Sequence, residues 1–170
     1  DKKAISIGLE MGIHHFALSF ANKASDVALL RELTGNDAFI ISKIESLNGL
    51  ENLDKIAKAS DALLIDRGDL SREIPIEKIP ATQKRITERA NKLGIKLYVA
   101  TNLLESMVEN PFPTRAEVND IYNTLVQGAD GLVLAAETAI GKFPVECAKM
   151  IDSVMNEFSK NKSVSKNKFD

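Results

Sequence analysis

Two rhythms of apolar residues alternate along this chain. Short apolar runs at residues 15–20, 39–45, 62–66, 97–100 and 132–135 each predict a strand. Between them, apolar residues recur at helical spacing. Residues 3–11 predict a short helix ended by Gly12, and residues 24–33 a second one, built on Val27, Leu30 and Leu33. Leu50, Leu53, Ile56 and Ala57 mark one face of a third. Pro80 suits a first helical turn, where its missing N–H has no partner to lose, and Ile86, Ala90 and Leu93 continue that helix to Gly94. Thr114 and Glu117 have capping-box spacing ahead of Val118, Ile121, Tyr122, Leu125 and Val126, and Gly128 stops the helix. Pro144 opens a last helix with Ala148, Ile151, Val154, Met155 and Phe158 on one face. Residues 70–79 read as irregular, Asn48-Gly49 as a turn, and residues 159–170, with four lysines and little to bury, as a disordered basic tail. Residues 1–158 then form one domain.

Strands alternating with helices predict an α/β fold. The strands lack alternating polarity, so both faces should be buried, as in a parallel sheet covered by helices. The totals agree. In 170 residues, 44% are apolar, enough for one sizeable core. The net charge of −2 supplies no field to attract nucleic acid or anionic lipid, so neither partner is expected. No apolar run approaches the roughly 18 residues of a membrane span. A single cysteine, Cys147, forbids an internal disulfide and suits a reducing, cytoplasmic compartment. The chain starts at Asp1 with no signal-peptide pattern, as a processed product or an excerpt would.

Charge changes the picture at the strand ends. Side chains alternate along a strand, so Phe39, Ile41, Lys43 and Glu45 should share a face that is apolar first and charged last. The third run repeats this, with Leu63 to Ile65 followed by Arg67-Gly68-Asp69. Ser19, Lys43 with Glu45, Asp69, Thr101 and Glu137 thus end successive strands, which periodicity assigns to one rim. Two carboxylates with open positions suit Mg²⁺ or Mn²⁺, and a nearby lysine suits a phosphoryl group or an enolate oxygen. An ordinary Lys43–Glu45 ion pair and a capping Asp69 remain the plainer alternative. His14 and His15 read as surface residues, Cys147 as core, and Arg115 as part of a cap.

The stretches IISKIESLNGLENLD, DRGDLSREIP, ATNLLESM, NPFPTRAEVND and ADGLVLAAETAIGKFPVECAKM closely resemble successive motifs of the pyruvate kinase family, in that family's order and spacing. FALSFANKASDVALLREL resembles the strand and helix just before them, and the likeness covers roughly residues 1–155. The resemblance implies a parallel-sheet (β/α) barrel of the TIM type, present as a partial barrel of five strands. It implies phosphoryl transfer from phosphoenolpyruvate to ADP, giving pyruvate and ATP in glycolysis. Lys43 matches the lysine that stabilises the transferring phosphoryl group. Glu45 and Asp69 match the Mg²⁺ ligands, and Gly68 and Asp69 the amides that hold the substrate carboxylate. Thr101 matches the threonine near the enolate carbon that is protonated.

The chain departs from the family pattern at Asp66, Ser71, Asn102, Ala135 and Ala136. The likeness also begins after the family's first three barrel strands, which carry the K⁺ ligands. A barrel of this kind takes eight strands and about 250 residues. Five strands leave two open edges and an exposed inner face, so a further segment or another chain is expected to complete it. Two other functions remain on the sequence: a metal-dependent aldolase or lyase acting on a keto acid without a nucleotide, and a non-catalytic module for pyruvate binding or assembly.

Overall fold

The computed structural model describes the backbone of residues 1–166 and the side chains of residues 1–162. The chain runs α1 (Lys2–Glu10), β1 (His15–Leu18), α2 (Ala24–Thr34), β2 (Phe39–Ile44), α3 (Leu47–Glu51), α4 (Leu53–Ala59), β3 (Ala62–Asp66), α5 (Arg67–Glu73), α6 (Ile79–Leu93), β4 (Lys96–Ala100), α7 (Arg115–Gln127), β5 (Gly131–Val133), α8 (Ala136–Ala139) and α9 (Pro144–Lys166). Single 3₁₀ turns lie at Ile76–Lys78 and Glu105–Val108. The strands form one five-stranded sheet in chain order. β1 pairs in parallel with β2, and β2 with β3. This is the α/β architecture that the apolar runs predict. No helix among the described residues is long and apolar enough to cross a membrane.

Two compact units make up the chain, Asp1–Tyr98 and Val99–Asp170. In the first, Ile40 and Ile44 of β2 and Leu63 and Ile65 of β3 are fully buried, as are Val27 of α2, Ile56 of α4 and Ala90 of α6. Two apolar layers, strand and helix, close over each other here. Ser42 is also buried on that side of β2, and its hydroxyl is satisfied by Ser60 Oγ at 2.6 Å. The opposite face of β2 is half-buried at Phe39, Ile41 and Lys43. At the start of β2, Asp61 Oδ2 accepts from Ile40 N and from Arg31 Nη2, both at 2.7 Å. Burial alone would raise the Asp61 pKa. The Ile40 amide and the Arg31 guanidinium outweigh it and hold the carboxyl below its ordinary value.

The second unit has its own core of Leu103, Leu104, Met107, Ile121, Leu125, Cys147, Ile151 and Val154. Cys147 is buried there as a small apolar residue, as its place on the helix predicts. Tyr122 meets Phe158 edge to face, with ring centroids 5.9 Å apart.

Four local expectations are corrected. Residues 67–73 are helical, because Asp66 caps α5 through its side chain. Asn48-Gly49 lies inside α3, which Ser46 caps by accepting from Gly49 N at 3.0 Å. Space at position 49 is tight, since a Cβ would stand 3.0 Å from the Ala21 carbonyl oxygen. The predicted single helix over residues 50–57 is split at Asn52, which ends α3 and precedes α4. α9 continues through residues 159–166, where disorder was expected. Local contacts favour this: Ser159 Oγ donates to Met155 O at 2.9 Å, and Lys162 Nζ lies 5.7 Å from the Phe158 ring centroid. The rest of the expected tail, residues 167–170, lies outside the described residues.

Candidate active site

The site in the first unit grows from the register of β2 and β3. Lys43 is paired with Leu64, and Ile44 with Ile65. Continuing both strands brings Glu45, just past β2, level with Asp66 at the end of β3. α5 starts at once and carries Gly68 and Asp69 in its first turn. Carboxylate oxygens of Glu45, Asp66 and Asp69 all lie within 4.8 Å of one another. The expected trio of Lys43, Glu45 and Asp69 is therefore gathered at one place, and Asp66 joins it.

Each member is held by different contacts. Glu45 is 1% exposed. Its Oε2 accepts from Phe20 N at 2.6 Å. Phe20 is one of three non-glycine residues with positive φ among the described residues, at 50°. That backbone conformation, uncommon for a bulky residue, turns its amide onto the carboxylate. Asn22 and Ser46 join the same two strand-end loops by a short hydrogen bond. Lys43 Nζ lies 2.5 Å from Glu45 Oε1 and 3.1 Å from Asp66 Oδ2. Burial disfavours the charged amine, but the Glu45 and Asp66 carboxylates more than offset this, so its pKa is raised. Asp66 Oδ1 also faces Asp69 N at 3.5 Å, at the outer limit of a hydrogen bond. Asp69 pairs with the well-exposed Arg72 at 3.3 Å.

Glu45 Oε1 is buried and makes no hydrogen bond, although Lys43 is in ionic contact with it. A buried carboxylate oxygen without a hydrogen-bond donor is costly unless a cation faces it. The donor set is all carboxylate oxygen, which suits a hard divalent ion such as Mg²⁺ or Mn²⁺. Glu45 and Asp69, with Asp66 beside them, fit such an ion.

Two sequence expectations need adjustment here. The departure at Asp66 is no bystander: its carboxylate faces into the cluster and touches Lys43. One signal could have found it, because an aspartate three residues before another acidic residue reads as a helix cap, which fixes the direction of its side chain. The second concerns Glu137 in the other unit. It is 1% exposed and offers nothing to a rim. Its Oε1 accepts from Leu104 N at 3.0 Å and its Oε2 from Ala135 N at 2.7 Å. It thereby fastens the segment after β4 to the segment after β5, both within the second unit.

Thr101 belongs to that unit and directly follows β4. Thr101 and Asn102 both have positive φ, 68° and 53°. Two consecutive non-glycine residues in this region store backbone strain, which tends to gather at functional positions. Asn102 Nδ2 donates to Glu105 Oε2 at 2.7 Å.

The comparisons with known proteins agree with one another. A family model described as "Pyruvate kinase, barrel domain" matches residues 1–148. The pyruvate kinase of Thermotoga maritima is 46% identical over 163 residues, covering 94% of this chain and 35% of that protein. That of Methanocaldococcus jannaschii is 45% identical over 157 residues, covering 91% and 35%. That of Borreliella burgdorferi is 41% identical over 169 residues, covering 97% and 35%. The chain thus spans about a third of the length of these relatives. Its five-stranded α/β sheet is the corresponding part of a larger (β/α) barrel, and the chain belongs to the pyruvate kinase family.

Proposed function

We propose that this chain contributes the cation-binding and phosphoenolpyruvate-binding part of a pyruvate kinase active site, in a glycolytic enzyme of the cytoplasm. The whole reaction passes a phosphoryl group from phosphoenolpyruvate to ADP, forming pyruvate and ATP. Glu45 and Asp69 hold Mg²⁺ or Mn²⁺. When bound, the ion offsets negative charge on the phosphoryl and enolate oxygens. The Lys43 ammonium faces the transferring phosphoryl group and neutralises charge there. The Glu45 and Asp66 carboxylates beside it favour the charged form. The amides of Gly68 and Asp69 receive the substrate carboxylate. Thr101, in the second unit, matches the family's threonine near the carbon that accepts a proton. A K⁺ site and a nucleotide site would require the remainder of the barrel.

One observation carries the reading. The half-buried Lys43, the buried Glu45 and Asp69 meet at the ends of two adjacent parallel strands. In a (β/α) barrel this is where catalytic groups collect. The test is calorimetric binding of phosphoenolpyruvate with and without Mn²⁺. Binding is expected to require Mn²⁺, and Lys43→Ala to weaken it by about 30-fold or more, the usual effect of removing one partner of a close charge pair. Binding that ignores both Mn²⁺ and Lys43→Ala would refute the assignment. Nucleotide-independent cleavage of a hydroxy-keto acid would instead move the site to the aldolase or lyase class.

A further inference from the structure

We propose that Asp66 competes with the phosphoryl group of the substrate for the Lys43 ammonium, and so sets how tightly this site takes phosphoenolpyruvate. The inference rests on the assignment of Lys43 to that phosphoryl group. Lys43 Nζ lies 2.5 Å from Glu45 Oε1 and 3.1 Å from Asp66 Oδ2. An ammonium has three N–H donors. Two carboxylates thus already face the group that the substrate must engage. The Asp66 contact follows from the sheet. Lys43 of β2 is level with Leu64 of β3, and Asp66 stands two residues further on, so Lys43 and Asp66 leave the same face of the sheet.

Asp66 is a fixed competitor. Its side chain is 10% exposed, and its Oδ1 caps α5 by facing Asp69 N at 3.5 Å. Oδ2 is thereby held toward Lys43. Glu45 is fixed as well, through the Phe20 amide on its Oε2. Lys43 is the partner with freedom to turn, because its charge sits at the end of a flexible four-carbon stem and its side chain is 21% exposed. A phosphoryl oxygen that reaches the ammonium from solvent meets a charge-assisted contact already made. It also approaches the Asp66 carboxylate, whose charge has the same sign, and like charges away from bulk water repel strongly. Both effects weaken binding of the phosphoryl group. Asp66 also faces the Asp69 amide, but that contact survives in any residue able to cap a helix. The Lys43 contact can therefore be removed by itself.

The experiment measures binding of phosphoenolpyruvate and of pyruvate by calorimetry, with Mn²⁺ saturating, in the parent, Asp66→Asn and Asp66→Ser. Asparagine keeps the shape of Asp66 and serine shortens it; both cap helices and neither carries a charge. Each variant is expected to bind phosphoenolpyruvate roughly tenfold more tightly than the parent, the order of effect of one like charge close to a ligand. Pyruvate has the carboxylate but no phosphoryl group to engage Lys43, and its affinity should stay within about twofold of the parent's. Selective tightening of phosphoenolpyruvate in either variant bears the inference out. If neither variant tightens it, or if pyruvate gains as much, the inference is overturned. A loss of affinity in both would show instead that Asp66 holds Lys43 in place for the ligand, which also overturns it. In each of these cases the proposed function stands as long as binding to the parent requires Mn²⁺ and Lys43. If no form binds phosphoenolpyruvate, or if every form binds it without Mn²⁺ and after Lys43→Ala, both fall.

Discussion

A single contact does much to define the site: the Phe20 amide on Glu45 Oε2 at 2.6 Å. It fixes one oxygen and leaves the other for a cation. Phe20 spends its positive φ in making it. At the same scale, Gly141 carries a structural demand that its neighbours impose. A Cβ there would lie 2.2 Å from the Glu137 carbonyl oxygen. Gly141→Ala must therefore displace the residue whose side chain holds Leu104 N and Ala135 N. It is expected to lower unfolding free energy by about 1–3 kcal/mol, as overpacking does. Chemical denaturation would measure it, and an unchanged midpoint would contradict the role given to Glu137. By contrast, Arg89→Ala removes an ion pair to Asp54 at an exposed position. Its melting temperature should match the parent's, because surface pairs contribute little.

At the scale of elements, α7 shows how local chemistry starts a helix. Thr114 Oγ1 accepts from Glu117 N at 3.2 Å, and Glu117 Oε2 accepts from Thr114 N at 2.7 Å. The same carboxylate takes the Ser106 hydroxyl at 2.6 Å. Burial raises the Glu117 pKa, but these hydrogen bonds from Ser106 and Thr114 prevail and depress it. A depressed folded-state pKa adds stability that is fully present above the unfolded value of about 4.3, and lost as pH falls through the folded value. Stability should therefore decline in acid more steeply in the parent than in Glu117→Gln. Thermal melts from pH 6 down to pH 2 test this, and parallel curves would contradict it. Thr114→Ala should cost about 1 kcal/mol at neutral pH. In the sheet, Ile40→Ala removes a fully buried side chain of β2 and should cost about 2–5 kcal/mol, read from denaturant midpoints. Strand boundaries and the α7 cap were legible because both depend on residues close in sequence. The start of α5 was obscured by the length of that helix: seven residues hold too few apolar positions to show a period.

At the scale of the whole molecule, five strands and their helices represent part of a barrel whose full form needs eight. The protein of 170 residues is accordingly expected to bind Mn²⁺ yet form no pyruvate from phosphoenolpyruvate and ADP when alone. A coupled lactate dehydrogenase assay checks this, and turnover by the chain alone would show that five strands suffice. The α/β order, the parallel sheet, the α7 cap and the charged strand ends could be read from the chain, because each depends on periodicity or on neighbours a few positions apart. The same periodicity put Lys43, Glu45 and Asp69 among the strand-end residues, and the family resemblance singled them out. What they touch could not be read in this way. The Phe20–Glu45 contact joins residues 25 apart, and Glu137 reaches an amide 33 residues away. Asp66 entered the carboxylate group through the register of β2 against β3, which sets neighbours across the sheet rather than along the chain. Sequence decided which chemistry each strand end carries, and tertiary structure decided which of those groups meet, because packing brings distant residues into contact and local pattern does not encode the distance between them.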